Sequence, residues 1–286
     1  MSNMVSYENL IADIYTPDRV VRYNYVICSP PSRLQPKGTI VLLHDFFKSS
    51  YQFRHCIDIF AMAGYLTIAL DFPGRTISSK YLKSNNISMR TLVSELSQFL
   101  HFIEIRRPVR FVGVGFGAHM ATELAIQYSE IVASVTCCCE PHFAGDIRRL
   151  EHLLRIPSSA SGKELRKALR QFFESTAELS EDDLAEYIEP FAEPGRLLDL
   201  QLASKTVLKS EHTLHGSMMD CADLEIRCSL LQPPEKGIFI KGKHVVEEDE
   251  FFTSKNVNCD PEAHPESFAI AVLSYIHAIT KMETVV

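Results

Sequence analysis

Apolar positions along the chain fall into short continuous runs separated by stretches in which they recur at helical spacing. Residues 20–28 and 39–43 read as strands. A helical segment at 50–63 follows, and 65–70 reads as the next strand, closed by Asp71-Phe72-Pro73-Gly74. Residues 89–105 place Leu92, Leu96, Phe99, Leu100 and Ile103 on one helical face. A strand near 110–114, a helix over 118–128 and a buried strand over 131–139 continue the alternation. Continuous apolar strands alternating with helices predict an α/β fold with a mostly parallel central sheet and helices on both faces. From about 144 to 219 the pattern is helical only, at 147–155, 163–176, 181–191 and 195–208, and Ser180 stands three residues before Asp183 as in a capping box. Strand signals return at 224–231 and 237–240, and a helix at 265–279 ends the pattern. The expected organisation is a core over 1–143, an inserted helical lid over 144–220 and the rest of the core over 221–286.

The stretch Arg110-Phe-Val-Gly-Val-Gly-Phe-Gly-Ala-His119 joins strand to helix through closely spaced glycines. Its Gly113-x-Gly115-x-Gly117 spacing is that of a nucleophile elbow, a turn that lifts a reactive side chain off the top of a parallel sheet. The middle position is Gly115, which has no side chain to attack with. The same glycines lack the spacing of a dinucleotide-binding loop.

Charge and cysteines narrow the partners. Among 286 residues, 29 Lys and Arg face 36 Asp and Glu, and a net charge of −7 disfavours nucleic acid or an anionic membrane surface as the main partner. No long apolar segment is present and residues 1–18 lack a signal-peptide pattern, which makes the cytoplasm the default location. Cys137, Cys138 and Cys139 are consecutive in a strand pattern, where neighbours point to opposite faces and cannot share a normal metal site. No cofactor and no metal are expected.

Taken together, these segments resemble the α/β-hydrolase fold, within it the epoxide hydrolase and haloalkane dehalogenase branch. Residues 38–54, containing His44-Asp45-Phe46-Phe47, are similar to the family's His-Gly-Phe-Pro loop and the helix after it. Ala63-Gly64-Tyr65, Asp71-Phe72-Pro73-Gly74, the glycine turn, residues 179–187 with Glu193-Pro194-Gly195, and Glu262-Ala263-His264-Pro265 are further matches. The resemblance implies an elbow aspartate that attacks a substrate carbon and is freed by water activated by a histidine with an acidic partner. This sequence departs from each part: Gly115 stands at the nucleophile position, His244 near the acid's place, and Asn258 or Cys259 near the histidine's. Ala203 and Ser204 fall where lid tyrosines are expected, leaving Tyr187 inside the lid. Asp45 replaces the glycine after His44, adding a carboxylate where an oxyanion would be stabilised.

The pocket in such a fold lies between the carboxyl ends of the strands and the lid. The candidate acid and base groups there are Asp45, Glu140, His119 and His142; some haloalkane dehalogenases place their acid after the strand that precedes Glu140. His119 and His142 are candidates for titration near neutral pH. His44, Phe46, Gly115, Phe116, Tyr187 and Cys259 are the candidate ligand-lining positions. Structural alternatives stand beside these roles: His44 shaping its own loop, Asp45 capping a turn, His119 packed in its helix, Glu140 pairing with Arg148 or Arg149, His142 at a hinge, and Cys259 an inert thiol. The expectation is a non-hydrolytic enzyme of isomerase, cyclase or lyase type acting on a small apolar metabolite in secondary metabolism. A ligand-binding pseudoenzyme and a hydrolase with a displaced nucleophile are the alternatives, and homodimerisation is left open.

Overall fold

The structure is a computed structural model that describes residues 4–17, 19–74, 78, 88–138, 162–174, 179–192, 196, 201, 224, 226–232, 252–256 and 260–283. Eight strands form one sheet: β1 (Ser6–Tyr15), β2 (Val20–Ser29), β3 (Thr39–Leu43), β4 (Leu66–Asp71), β5 (Val109–Val114), β6 (Val132–Cys138), β7 (Arg227–Gln232) and β8 (Phe252–Asn256). Their order is β1-β2-β4-β3-β5-β6-β7-β8. The pairs β1-β2 and β2-β4 are antiparallel, and every pair from β4-β3 to β7-β8 is parallel.

The central parallel strands β3, β4 and β5 are buried along nearly their whole length because both faces of the sheet are covered. Val41, Leu43, Ile68, Leu70 and Phe111 face a cluster shared with α2 (Met89–Phe102) and α3 (Phe116–Gln127). Ile40, Leu42, Ala69 and Val112 face the opposite cluster, with α1 (Ile57–Met62) and α6 (Pro265–Glu283). Cys137 belongs to the first cluster and Cys138 to the second, so consecutive cysteines in β6 are packed on opposite faces. Cys28, buried in β2, is pushed up to about 11 by desolvation and remains a neutral thiol near pH 7.

Among the described residues of the predicted helical region lie α4 (Gly162–Glu174) and α5 (Glu181–Ile188). Ser180 caps α5 in a full capping box with Asp183. Leu165, Leu169 and Phe173 of α4 and Leu184, Tyr187 and Ile188 of α5 join the cluster that contains Phe46, Phe72 and Phe116. None of the described helices is long and apolar enough to cross a membrane.

Two local differences from the pattern have physical causes. β1 is an added edge strand over residues whose inward face carries only Ala12 and Ile14 as fully buried apolar positions, too short a signal to stand out from a polar N-terminal stretch. The helix expected over 50–63 is a 3-10 turn, Ser50–Phe53, followed by the separate α1; Ser49 accepts from Tyr51 N–H and Arg54 N–H bonds back to Tyr51 O, which tightens the first turn. Among the described residues the last strand is β8, and the run at 237–240 lies outside them.

Candidate functional site

The turn between β5 and α3 has the backbone form of an elbow. Gly115 sits there at φ 51°, ψ −115°, in the left-handed region that favours glycine, and its N–H donates to Cys138 O at 3.0 Å. Gly117, in the first turn of α3, allows that helix to lie directly on the end of β3. A Cβ at 117 would stand 2.5 Å from the Leu43 carbonyl carbon and closer still to its oxygen.

The loop after β3 brings Asp45 to this turn. Its Oδ1 accepts two backbone N–H bonds, from Phe46 at 2.7 Å and from Phe116 at 2.9 Å. In this geometry the N–H after the elbow position and one from the β3 loop are the donors that would stabilise an oxyanion. Here the protein's own carboxylate takes both. A Cβ on residue 115 would overlap Asp45 Oδ1 and lie 2.5 Å from its Cγ and 3.2 Å from Oδ2, so the carboxylate fills the space of an elbow side chain.

Asp45 is also pinned through its backbone. Its N–H donates to Gln52 Oε1 at 2.9 Å, and its carbonyl accepts from Lys48 N–H at 3.0 Å. His44 supplies the third tie. Phe72 N–H donates to Nε2 at 3.0 Å, which makes Nε2 the bare nitrogen and leaves Nδ1–H to donate to the Asp45 carbonyl at 2.6 Å. With both ring nitrogens engaged and no exposure, His44 is built into the loop. The two residues whose N–H groups bind the carboxylate belong to an aromatic cluster: Phe46 packs edge-on against Phe47 and Phe116, and Phe116 against Phe72, with centroids 5.1–5.5 Å apart.

Four of the sequence candidates, Asp45, Phe46, Gly115 and Phe116, thus meet at one point, with His44 directly behind. His119 lies one helical turn past Gly115, and burial drives it down to about 4. That corrects the expectation of a group titrating near neutral pH, because desolvation disfavours the imidazolium and the ring is neutral at pH 7. Glu140, His142 and Cys259 lie outside the described residues, as do His244 and Asn258.

Tyr187 stands in a separate buried network. Its hydroxyl donates to Glu262 Oε1 at 2.7 Å, and its ring stacks on Phe173 and meets Tyr51 edge-on. The same Glu262 pairs with Lys48 at 2.6 Å and Arg54 at 2.7 Å, and Arg54 pairs with Asp183 at 2.7 Å. Tyr51 completes the group by donating to Asp183 at 3.1 Å beneath the Arg54 guanidinium. Burial first, and the Glu262 charge second, hold the Tyr187 hydroxyl well above its ordinary range, so it stays a donor. This network joins α5, the β3 loop and the segment before α6. Lys48, Arg54 and Glu262 all fall inside motifs that the sequence makes conspicuous, but a contact across 208 positions has no local signal.

Comparison with known proteins agrees with this geometry. Residues 38–209 match the family model described as alpha/beta hydrolase fold. Epoxide hydrolase B of Mycobacterium tuberculosis is 34% identical over 145 residues, which cover 51% of this chain and 38% of that protein. Bifunctional epoxide hydrolase 2 of Mus musculus is 28% identical over 131 residues, covering 44% of this chain and 24% of that protein. The matched stretches are therefore less than half the length of these relatives. Among solved structures, the epoxide hydrolase CorEH without ligand superimposes with a TM-score of 0.72 at 18% identity, covering 96% of this chain and 100% of the other. A membrane phospholipase A gives 0.70 at 14% identity, covering 96% and 87%. At such identities the likeness is one of fold, and the fold carries more than one chemistry.

Proposed function

The chain belongs to the α/β-hydrolase fold family, and on that premise we propose that it is a non-hydrolytic enzyme in which Asp45 handles a proton on a small, mainly apolar metabolite. Gly115 is read as a nucleophile replaced, and isomerisation, cyclisation or elimination as the reaction class. The observation that carries this reading is the seat of Asp45 Oδ1 on the Phe46 and Phe116 N–H groups. A tetrahedral intermediate needs those two donors for its own oxygen. With the donors occupied and no side chain at 115, acyl transfer loses both its nucleophile and its oxyanion stabilisation. What remains is a fixed carboxylate in an apolar aromatic setting, which suffices for general acid–base catalysis and for holding a substrate in a reactive fold.

Because the named relatives are epoxide hydrolases, epoxides are the first electrophilic substrates to test, with ring opening by an internal hydroxyl as the candidate cyclisation. Helices α4 and α5 are read as part of a lid over the site, held to the core through Glu262.

The test uses small molecules that accumulate when the gene is deleted, incubated with purified protein and followed by mass spectrometry. The wild type converts one of them to a product of unchanged mass and changed retention, or, for an elimination, to a product lighter by the mass of the group lost. Asp45→Asn lowers that rate by about 10²-fold or more, the range of a lost general acid or base. Full activity in Asp45→Asn, or binding with no conversion by the wild type, would overturn the reading.

A further inference from the structure

We infer that β1 is the interface between two copies of this chain, which pair antiparallel through it and join their sheets across a two-fold axis at Ile11. Neither Asp45 nor the chemistry proposed for it is involved.

Among the described residues β1 ends the sheet, and the direction of its hydrogen bonds follows from the hairpin to β2. Thr16 N–H donates to Arg19 O at 2.9 Å, so the residues facing each other at the hairpin end form a hydrogen-bonded pair. On the far side of β2, Asn24 N–H turns away from β1 and donates to Ser78 Oγ at 2.9 Å. Bonded and non-bonded pairs alternate along an antiparallel ladder. Residues 8, 10, 12 and 14 therefore bond to β2, and residues 7, 9, 11, 13 and 15 turn their N–H and C=O groups to the outer edge. Such an edge is normally guarded by proline, lysine or a bulge. Residues 6–15 contain neither residue, and the ladder to β2 runs in one continuous register. The side chains of the same odd positions stand on an open face of the sheet, with Tyr7, Ile11 and Tyr15 each more than half exposed. Together with Met4 just before β1 and Val20 in β2, they are five of the nine exposed large apolar side chains among the described residues. That concentration marks a contact surface, since scattered singles would be spread over the whole molecule.

The occupant that fits this edge is a second copy. The outward positions read tyrosine, asparagine, isoleucine, aspartate, tyrosine, an order symmetric about Ile11 in aromatic, polar and aliphatic character. With Ile11 on the axis it meets the partner's Ile11, Tyr7 meets the partner's Tyr15, and Asn9 meets the partner's Asp13, all as hydrogen-bonded pairs. The acids stay apart. Asp13, already held by Arg22 at 2.7 and 2.8 Å, faces an amide, and Glu8 faces the partner's Ile14. A shift of two residues either way sets Ile11 against Asn9 or Asp13 and breaks both tyrosine pairs. A two-fold contact requires this self-complementarity, whereas a contact with an unrelated strand does not.

Analytical ultracentrifugation of the purified chain tests the pairing. With rising concentration the wild type reaches twice the 32.3 kDa mass of the chain. Ile11→Pro raises the concentration of half-dissociation by about tenfold or more, because the axis makes one substitution remove two intermolecular hydrogen bonds. Its circular dichroism stays that of the wild type, since the N–H at position 11 takes no part in the β1-β2 ladder and proline is tolerated at such an edge. Ile11→Lys sets two ammonium groups face to face at an exposed position and weakens the dimer in the same direction, which keeps the test decisive if proline disturbs the hairpin. Ile11→Cys under mild oxidation gives a covalent dimer bridged at residue 11. The Cα atoms of a hydrogen-bonded pair stand about 5.5 Å apart, within the roughly 4.4–6.8 Å that a disulfide spans. A wild type that stays monomeric at its highest soluble concentration would leave the edge to a different partner and overturn the pairing. So would a dimer unaffected by both Ile11→Pro and Ile11→Lys, or one whose Ile11→Cys form shows no bridge at that residue.

Discussion

Glu262 holds two cations and a phenol, and its removal gives a loss large enough to measure. Its side chain is 4% exposed, that of Lys48 6% and that of Arg54 15%, so all three are shielded from water. Removing one member of a buried pair costs about 3–5 kcal/mol, because the charge left behind is no longer compensated. Arg54 keeps Asp183 at 2.7 Å, which argues for the lower end. At roughly 2–4 °C per kcal/mol for a domain near this size, about 3 kcal/mol lowers the melting temperature of Glu262→Ala by about 6–12 °C. Glu262→Gln keeps the volume and an acceptor oxygen and loses less. Tyr187→Phe removes one hydrogen bond to a charged acceptor, worth about 1.5–3 kcal/mol. The assay is thermal melting of the single variants and the Glu262→Gln/Tyr187→Phe double variant. The two losses should add to less than their sum, since they share one contact. A Glu262→Ala protein melting within about 2 °C of the wild type, less than 1 kcal/mol on this scale, would refute the reasoning.

Two further outcomes follow from local geometry. Folding lowers the His119 pKa from its ordinary 6.5 to about 4; the unfolded chain therefore takes up the proton first, and stability is lost as pH falls from 6.5 to 4, by up to about 3 kcal/mol at 1.36 kcal/mol per pH unit. Urea midpoints at pH 7 and pH 5 should differ less in His119→Gln than in the wild type, and an unchanged difference would assign the acid loss elsewhere. Gly117→Ala forces a methyl group against the Leu43 carbonyl in the middle of the sheet, where neither backbone can yield. It should cost more than about 4 kcal/mol, seen as loss of soluble protein or of the cooperative melt.

The fold was legible wherever burial is continuous. Strands 39–43, 65–70 and 110–114 declare themselves because both faces of each are covered, and α5 because Ser180 and Asp183 form its cap locally. β1 was not legible, since an edge strand with one face in solvent has few apolar positions to show. At the site, the glycine at 115 and the aspartate at 45 were each readable as departures from a family pattern. Their meaning as a pair was not. Only the folded backbone brings residues 45 and 116 to 2.9 Å and shows that the carboxylate lies where a side chain at 115 would stand. The Tyr187 hydroxyl's tie to the Glu262 oxygen at 2.7 Å was not legible either, because it spans 75 positions of the chain.

The most direct test of non-hydrolytic chemistry is turnover in water enriched in oxygen-18, with the product analysed by mass spectrometry. An enzyme that rearranges its substrate or eliminates a group from it through Asp45 gives an isomer or an elimination product without the heavy label, and Asp45→Asn stops its formation. A product that has gained the elements of water with oxygen-18 incorporated would show hydrolysis and contradict the account.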